Sequence, residues 1–185
     1  MKNSEWGAVA YLTHSQYGRN AHEIYINNSS TYITGNSGGS INATAATGIT
    51  NAYNTTNGVK ASSTGNISGI YDLSGITYEF VAAFNSTDGY SREGQYGGSF
   101  ASTSNSSTKY ATKYYSNKKI GDASKEVFVA SELGWFNDKG GSIASITPFI
   151  VRGGYYNDGS NAGVFAVSGS AGNGAANRSF RVVLV

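Results

Sequence analysis

Residues 69–84 constrain the fold more than any other stretch of this chain. Asp72 and Ser74-Gly75 suit a tight turn, because aspartate bonds its own backbone and glycine accepts positive φ. Beyond the turn, Ile76, Tyr78 and Phe80 alternate with Thr77, Glu79 and Val81, the pattern of a half-buried strand. Ile76, Phe80 and Phe84 also fit a four-residue helical spacing, so this segment's own residues leave both options open. Residues 19–66 and 85–120, on either side, are polar and read mostly as loops.

The remaining elements are short. Residues 4–13 carry Trp6, Val9, Ala10 and Thr13 at helical spacing, with Asn3 or Ser4 as N-cap and Gly18 as the stop. Two short strands are expected around 23–26 and 32–34, and a helix over 122–134 starting at Asp122 or Ser124. Phe149–Arg152, Val164–Val167 and Phe180–Leu184 read as three strands joined by glycine-rich turns at 153–163 and 168–178. Pro148, the only proline, can start a strand there without removing a central ladder bond. The pattern predicts one α+β domain over residues 1–185, loop-rich, with short antiparallel strands and one or two helices.

Composition then narrows the function. Gly, Ser, Thr and Asn account for 84 of the 185 residues, whereas only 13% are charged, so solubility rests on uncharged polar groups. Fourteen tyrosines among so many Ser, Gly and Asn match the residues that recognition loops favour, and a β-rich secreted domain uses the same set. A net charge of +2 is too small for a nucleic-acid footprint, and Lys109, Lys113, Lys118 and Lys119 with Tyr110, Tyr114 and Tyr115 read as a solvated loop. No apolar run is long enough for membrane insertion, and Met1-Lys2-Asn3 runs directly into a patterned segment rather than a signal peptide.

Catalytic signatures are few. The chain has no cysteine, which excludes disulfides, thiolate metal sites and cysteine nucleophiles. His14 and His22 are its only histidines, and Gly18 between them argues against one long helix bringing them together. There is no Gly-x-Ser-x-Gly elbow and no phosphate loop. The expectation is a protein that is not an enzyme.

Four segments in order carry a family resemblance: Ser4-Glu5-Trp6, Gly69–Gly75 with Tyr78-Glu79-Phe80, Arg152-Gly153-Gly154-Tyr155, and Ser179–Val183. Together the chain resembles the formylglycine-generating-enzyme-like branch of the C-type lectin fold. The resemblance implies a strand at 76–81, and structural roles for Glu5 and Glu79. It does not bring the family's oxidase chemistry, whose paired cysteines are missing, nor a three-histidine iron site. Sugar binding through calcium would want a Glu-Pro-Asn or Gln-Pro-Asp triplet, which is lacking, and a Trp-Asn-Asp segment. Trp135-Phe136-Asn137-Asp138 comes close to the latter with one extra residue. No cofactor is expected, with a structural calcium ion as the open option. Family members begin with a strand that pairs with the last one. Its lack before the Glu5-Trp6 helix implies an upstream segment or a partner subunit in that place, because Phe180–Val185 would otherwise be an exposed apolar edge.

Residues 152–183 further resemble the variable region of proteins diversified by retroelements through adenine mutagenesis. That resemblance implies a fixed scaffold of Arg152-Gly153-Gly154, Gly159, Gly163, Phe165 and Ser179–Val183. It implies ligand-binding positions at Tyr155, Tyr156, Asn157, Ser160, Asn161, Ala166, Ser168, Ser170, Asn173 and Asn177. Strand alternation would set Ala166 and Ser168 on one face and Phe165 and Val167 on the other. Mutating adenines of a pyrimidine-ending Asn codon cannot yield Lys, Glu, Gln, Met or Trp. Residues 153–177 contain none of these, whereas the other 160 residues contain 19, a rate that would place about three in such a window. The implied function is ligand or receptor binding, against a protein or glycan on a host or target cell, displayed on a phage, prophage or bacterial surface. The alternative is a fixed adhesin or structural subunit of a pilus or tail fibre.

Overall fold

The computed structural model describes residues 1–24, 53–85, 111–114, 121, 123, 135–141 and 149–184. The expected strand at 32–34, the helix at 122–134 beyond Ala123, Pro148 and most of the Lys109–Lys119 stretch lie outside the described residues. Among the described residues the architecture is α+β: helix α1 (Asn3–His14), then strands β1 (Tyr78–Asn85), β2 (Thr112–Tyr114), β3 (Phe149–Arg152), β4 (Val167–Ser170) and β5 (Arg178–Phe180). Glu23 and Ile24 are not in a strand.

Helix α1 forms where the spacing predicted. Trp6, Ala10 and Thr13 are buried on one stripe, Val9 is half-buried, and Leu12 faces out. The cap is one residue earlier than expected, at Lys2, whose backbone N–H donates to Glu5 Oε2 at 2.8 Å. The helix stops at His14, and Ser15–Ala21 turn back under it through bonds such as Gly18 N–H to Ser15 O at 3.0 Å.

The sheet is built on β1. One edge of β1 pairs antiparallel with β3, which pairs antiparallel with β4. Its other edge is covered by three parallel partners in succession: β5 along 78–80, Lys2 at Ala82, and β2 along 83–85. The chain start therefore takes part in the sheet. Met1 O accepts Ala82 N–H at 2.8 Å, and the Met1 α-amino group donates to Arg181 O at 3.0 Å.

Four expectations are corrected here. The strands were expected to be antiparallel, but β2 and β5 both pair parallel with β1. Strand β1 alternates, but its buried face is Glu79, Val81 and Ala83, whereas Tyr78 and Phe80 are half-buried. Glu79 tolerates burial because the Arg181 guanidinium clasps its carboxylate. The strand expected at 164–167 begins at Val167 instead: Val164, Phe165 and Ala166 form a buried turn closed by Ala166 N–H to Gly163 O at 3.0 Å. The strand expected at 180–184 is instead β5, Arg178–Phe180.

The four sequence segments interlock in the core. Trp6 Nε1 donates to Val164 O at 2.7 Å, and the fully buried Arg152 guanidinium lies 5.9 Å over its ring. Gly153 O accepts Gly75 N–H at 3.0 Å and Gly163 N–H at 3.3 Å. Arg181 also reaches the carbonyls of Tyr71 and Asp72 at 3.3 and 3.2 Å. The Gly153-Gly154 pair is required by this geometry. Both residues have positive φ, and a Cβ would lie 2.7 Å from Leu73 O at the first and 2.8 Å from Ala162 at the second.

Candidate functional site

Immediately after this glycine pair, the chain leaves the core and forms a six-residue 3-10 segment, Tyr156–Asn161, kinked at Gly159, between β3 and β4. Its entry is closed by Asp158, whose Oδ2 accepts Tyr155 N–H at 3.0 Å. The side chain of Asp158 is buried and its Oδ1 takes the Lys139 ammonium at 2.9 Å. Lys139 also reaches Tyr78 Oη at 3.4 Å, and its backbone N–H donates to Asn161 O at 2.8 Å. A second segment, 135–141, is thus tied to the turn at both its side chain and its backbone.

Electrostatics tighten the same cluster. Burial, with the Asp158 carboxylate beside it, pushes the Tyr78 phenol up to about 12, so it stays a neutral hydroxyl at physiological pH. The Asp158 bond raises the Lys139 ammonium's pKa. Lys139 and Asp158 were not singled out from the sequence, and Tyr78 was read there as a strand and motif residue rather than as part of a site. Asp158-Gly159 is a turn dipeptide that could have flagged the acid, but nothing local marks Lys139 or ties Tyr78 to this turn.

The ten expected positions divide into four sets. Tyr155, Asn157, Ser160 and Asn161 gather on the turn: Asn157 and Ser160 are exposed, Tyr155 and Asn161 half-buried. The Tyr155 ring tilts against Tyr78 at 5.0 Å and its hydroxyl accepts from Asn157 Nδ2 at 3.4 Å. The backbone of Tyr156 belongs to this turn; its side chain lies outside what is described. Asn173 and Asn177 lie on the β4–β5 connection, where Asn173 O accepts from Arg178 Nη1 at 2.6 Å. Asn177 O accepts Tyr78 N–H at 2.9 Å, so Tyr78 stands between the two groups and touches both. Ser168 is half-buried on β4.

Ala166 and Ser170 do not belong to any such surface. Ala166 is 2% exposed and Ser170 is 1% exposed. The first sits in the Gly163–Ala166 turn, and the second is turned inward with its hydroxyl accepting Gly172 N–H at 3.1 Å. The alternation expected for 165–168 fails because Phe165, Ala166 and Val167 are all buried.

The carboxylates on the recognisable segments are engaged separately. Glu5 closes the first turn of α1, and Glu79 holds Arg181. His22 is exposed, and the helix ends before it. Asp138 is fully buried with Oδ2 accepting Phe165 N–H at 2.8 Å, which makes it a structural acceptor within the Trp135–Asp138 segment. Among the described residues no group of three or more His, Asp or Glu could hold a metal ion, and no helix is long and apolar enough to cross a membrane. Set against known protein families, functionally described proteins and solved structures, the chain matches none.

Proposed function

We propose that this chain is a non-catalytic ligand-binding domain of C-type lectin type, resembling the retroelement-diversified variable proteins. Its recognition face is the 155–161 turn with Tyr78, Lys139 and Asn177. The observation that carries this reading is the abrupt change at Gly154. Arg152 and Gly153 are locked in the core, whereas the residues just beyond present amide, hydroxyl and phenol groups outward. A rigid frame lowers the entropy lost on binding, and Tyr with Asn and Ser supplies aromatic contact area and adaptable hydrogen bonds. The partner is a protein or glycan on a target cell, and the domain is displayed on a phage, prophage or bacterial surface structure.

Arrays of bacterial surface glycans and of purified bacterial envelope proteins test the reading. The wild-type protein should bind selected features, and the double variant Tyr155→Ala/Tyr156→Ala should lose them while its Tm falls by no more than about 2–4 °C. Equal binding by both proteins, or collapse of the variant's fold, would count against this face.

One observation favours the second reading, a fixed adhesin or fibre subunit. Phe180, Val182 and Leu184 are 74%, 70% and 94% exposed along the chain's last segment. Phe180 and Val182 line a shallow apolar groove of about 320 Å³ together with Met1, Phe80, Ala82 and Phe149. Exposed apolar edges of this kind are where partner strands add. A partner subunit or an upstream segment pairing with this edge would serve assembly, and it is compatible with recognition at the opposite end of β3.

A further inference from the structure

Beneath the exposed Trp135-Phe136 tip, His14 and Asp138 pack against Phe165 from two segments, and Glu23, on a third, lies beside His14. His14, at the end of α1, has a side chain only 8% exposed and lies 3.7 Å from Glu23 Oε1 on the segment that returns under the helix. Its ring stacks on Phe136 at 3.8 Å and tilts against Phe165 at 5.3 Å. Asp138 holds the backbone of the same Phe165. Neither His14 nitrogen, nor Glu23 Oε2, nor Asp138 Oδ1 has a hydrogen-bond partner among the described residues. Buried carboxylate oxygens without donors are costly as anions and far less so as neutral acids. Among the described residues, the other charged or titratable groups facing the cluster are Arg19 on the returning segment, Arg152 on β3 and Tyr11, which meets Phe165 edge-on at 5.6 Å.

We infer that His14, Glu23 and Asp138 form a proton-operated latch that holds segments 15–24 and 135–141 against α1 while all three are neutral, and loosens them as the two carboxyls ionise. Electrostatics agree with the geometry. Desolvation raises Glu23 to about 7, against the pull of the Ile24 N–H and Arg19. Desolvation, reinforced by the Glu23 charge, raises Asp138 to about 8, against the Phe165 N–H and Arg152. Desolvation lowers His14 to about 4. The signs are opposite for acids and base. The raised carboxyls contribute stability that is complete below about pH 4 and is lost as pH rises through 7 to 8. The lowered imidazole contributes stability that is present above about 6.5 and is lost as pH falls towards 4. Two carboxyls outweigh one imidazole, so above about pH 5, where His14 is already neutral, the cluster weakens steadily towards pH 8.5.

Isosteric neutral variants separate this from a purely structural role. Glu23→Gln and Asp138→Asn keep the shape and, for Asp138, an acceptor for Phe165 N–H. Relative to wild type, their Tm should be equal or slightly lower at pH 5 and higher by about 2–4 °C at pH 8.5. A loss of Tm that is the same at both pH values would overturn the latch. Wild-type protein gives a second readout that needs no variant. Of the two tryptophans, Trp6 is buried and Trp135 is 47% exposed. Iodide quenching of Trp135, and hydrogen exchange across 15–24 and 135–141 corrected for intrinsic rates, should both rise between pH 5 and 8.5 while α1 and β1 stay protected. Unchanged quenching and exchange over that range would also overturn it. The inference concerns the frame and stands whether or not the 155–161 turn binds a ligand.

Discussion

Two neighbouring parts of the chain, 149–154 and 155–161, are separated by a single peptide bond and follow opposite rules. In the first, Ile150, Val151, Arg152 and the glycine pair are fixed by strand pairing, burial and the lack of room for a Cβ. In the second, Asn157 and Ser160 point to solvent, and the turn is held by Asp158 and Lys139 rather than by its own apolar contacts. Such a junction lets side chains on the turn change with little effect on the frame.

The sharpest way to break this comparison is to attack the frame far from the turn. Arg181→Ala leaves the Glu79 carboxylate buried without its partner and releases the Tyr71 and Asp72 carbonyls. The expected cost is about 3 kcal/mol, read as a lower urea midpoint with unchanged m-value. A loss under about 1 kcal/mol would mean that the motifs are not interlocked as described. At the small end, Asn157→Ala combined with Ser160→Ala should change stability by less than about 0.5 kcal/mol in the same denaturation experiment. A larger loss would place these side chains in the frame and erase the contrast.

How much of this was legible in the sequence follows from where each constraint originates. Helix α1 and strand β3 were readable because their signals are local: Trp6, Ala10 and Thr13 on one stripe, and an apolar run ended by two glycines. The direction in which β1 faces was not. Its buried Glu79 is stabilised by Arg181, 102 residues away, and no pattern within 76–81 announces that partner. The register of β4 was missed for a similar reason. Val164–Ala166 look like a strand start, but Asp138 holds Phe165 N–H from another segment and keeps those residues in a turn. At the candidate site, Tyr155, Asn157, Ser160 and Asn161 were reached through the resemblance. Ala166 and Ser170 were misplaced because their exposure depends on that register, and Lys139 carries no local signal at all.

Deep sequencing of codons 150–185 across the source population tests the central claim most directly. The structure narrows what should be seen. Substitutions at adenine positions should concentrate in codons 155–157, 160, 161, 173 and 177, while the buried positions 152–154, 163–167 and 170 stay fixed along with 179–183. Uniform codons over this stretch, or variation spread equally over buried and exposed codons, would contradict a diversified recognition face on a fixed frame.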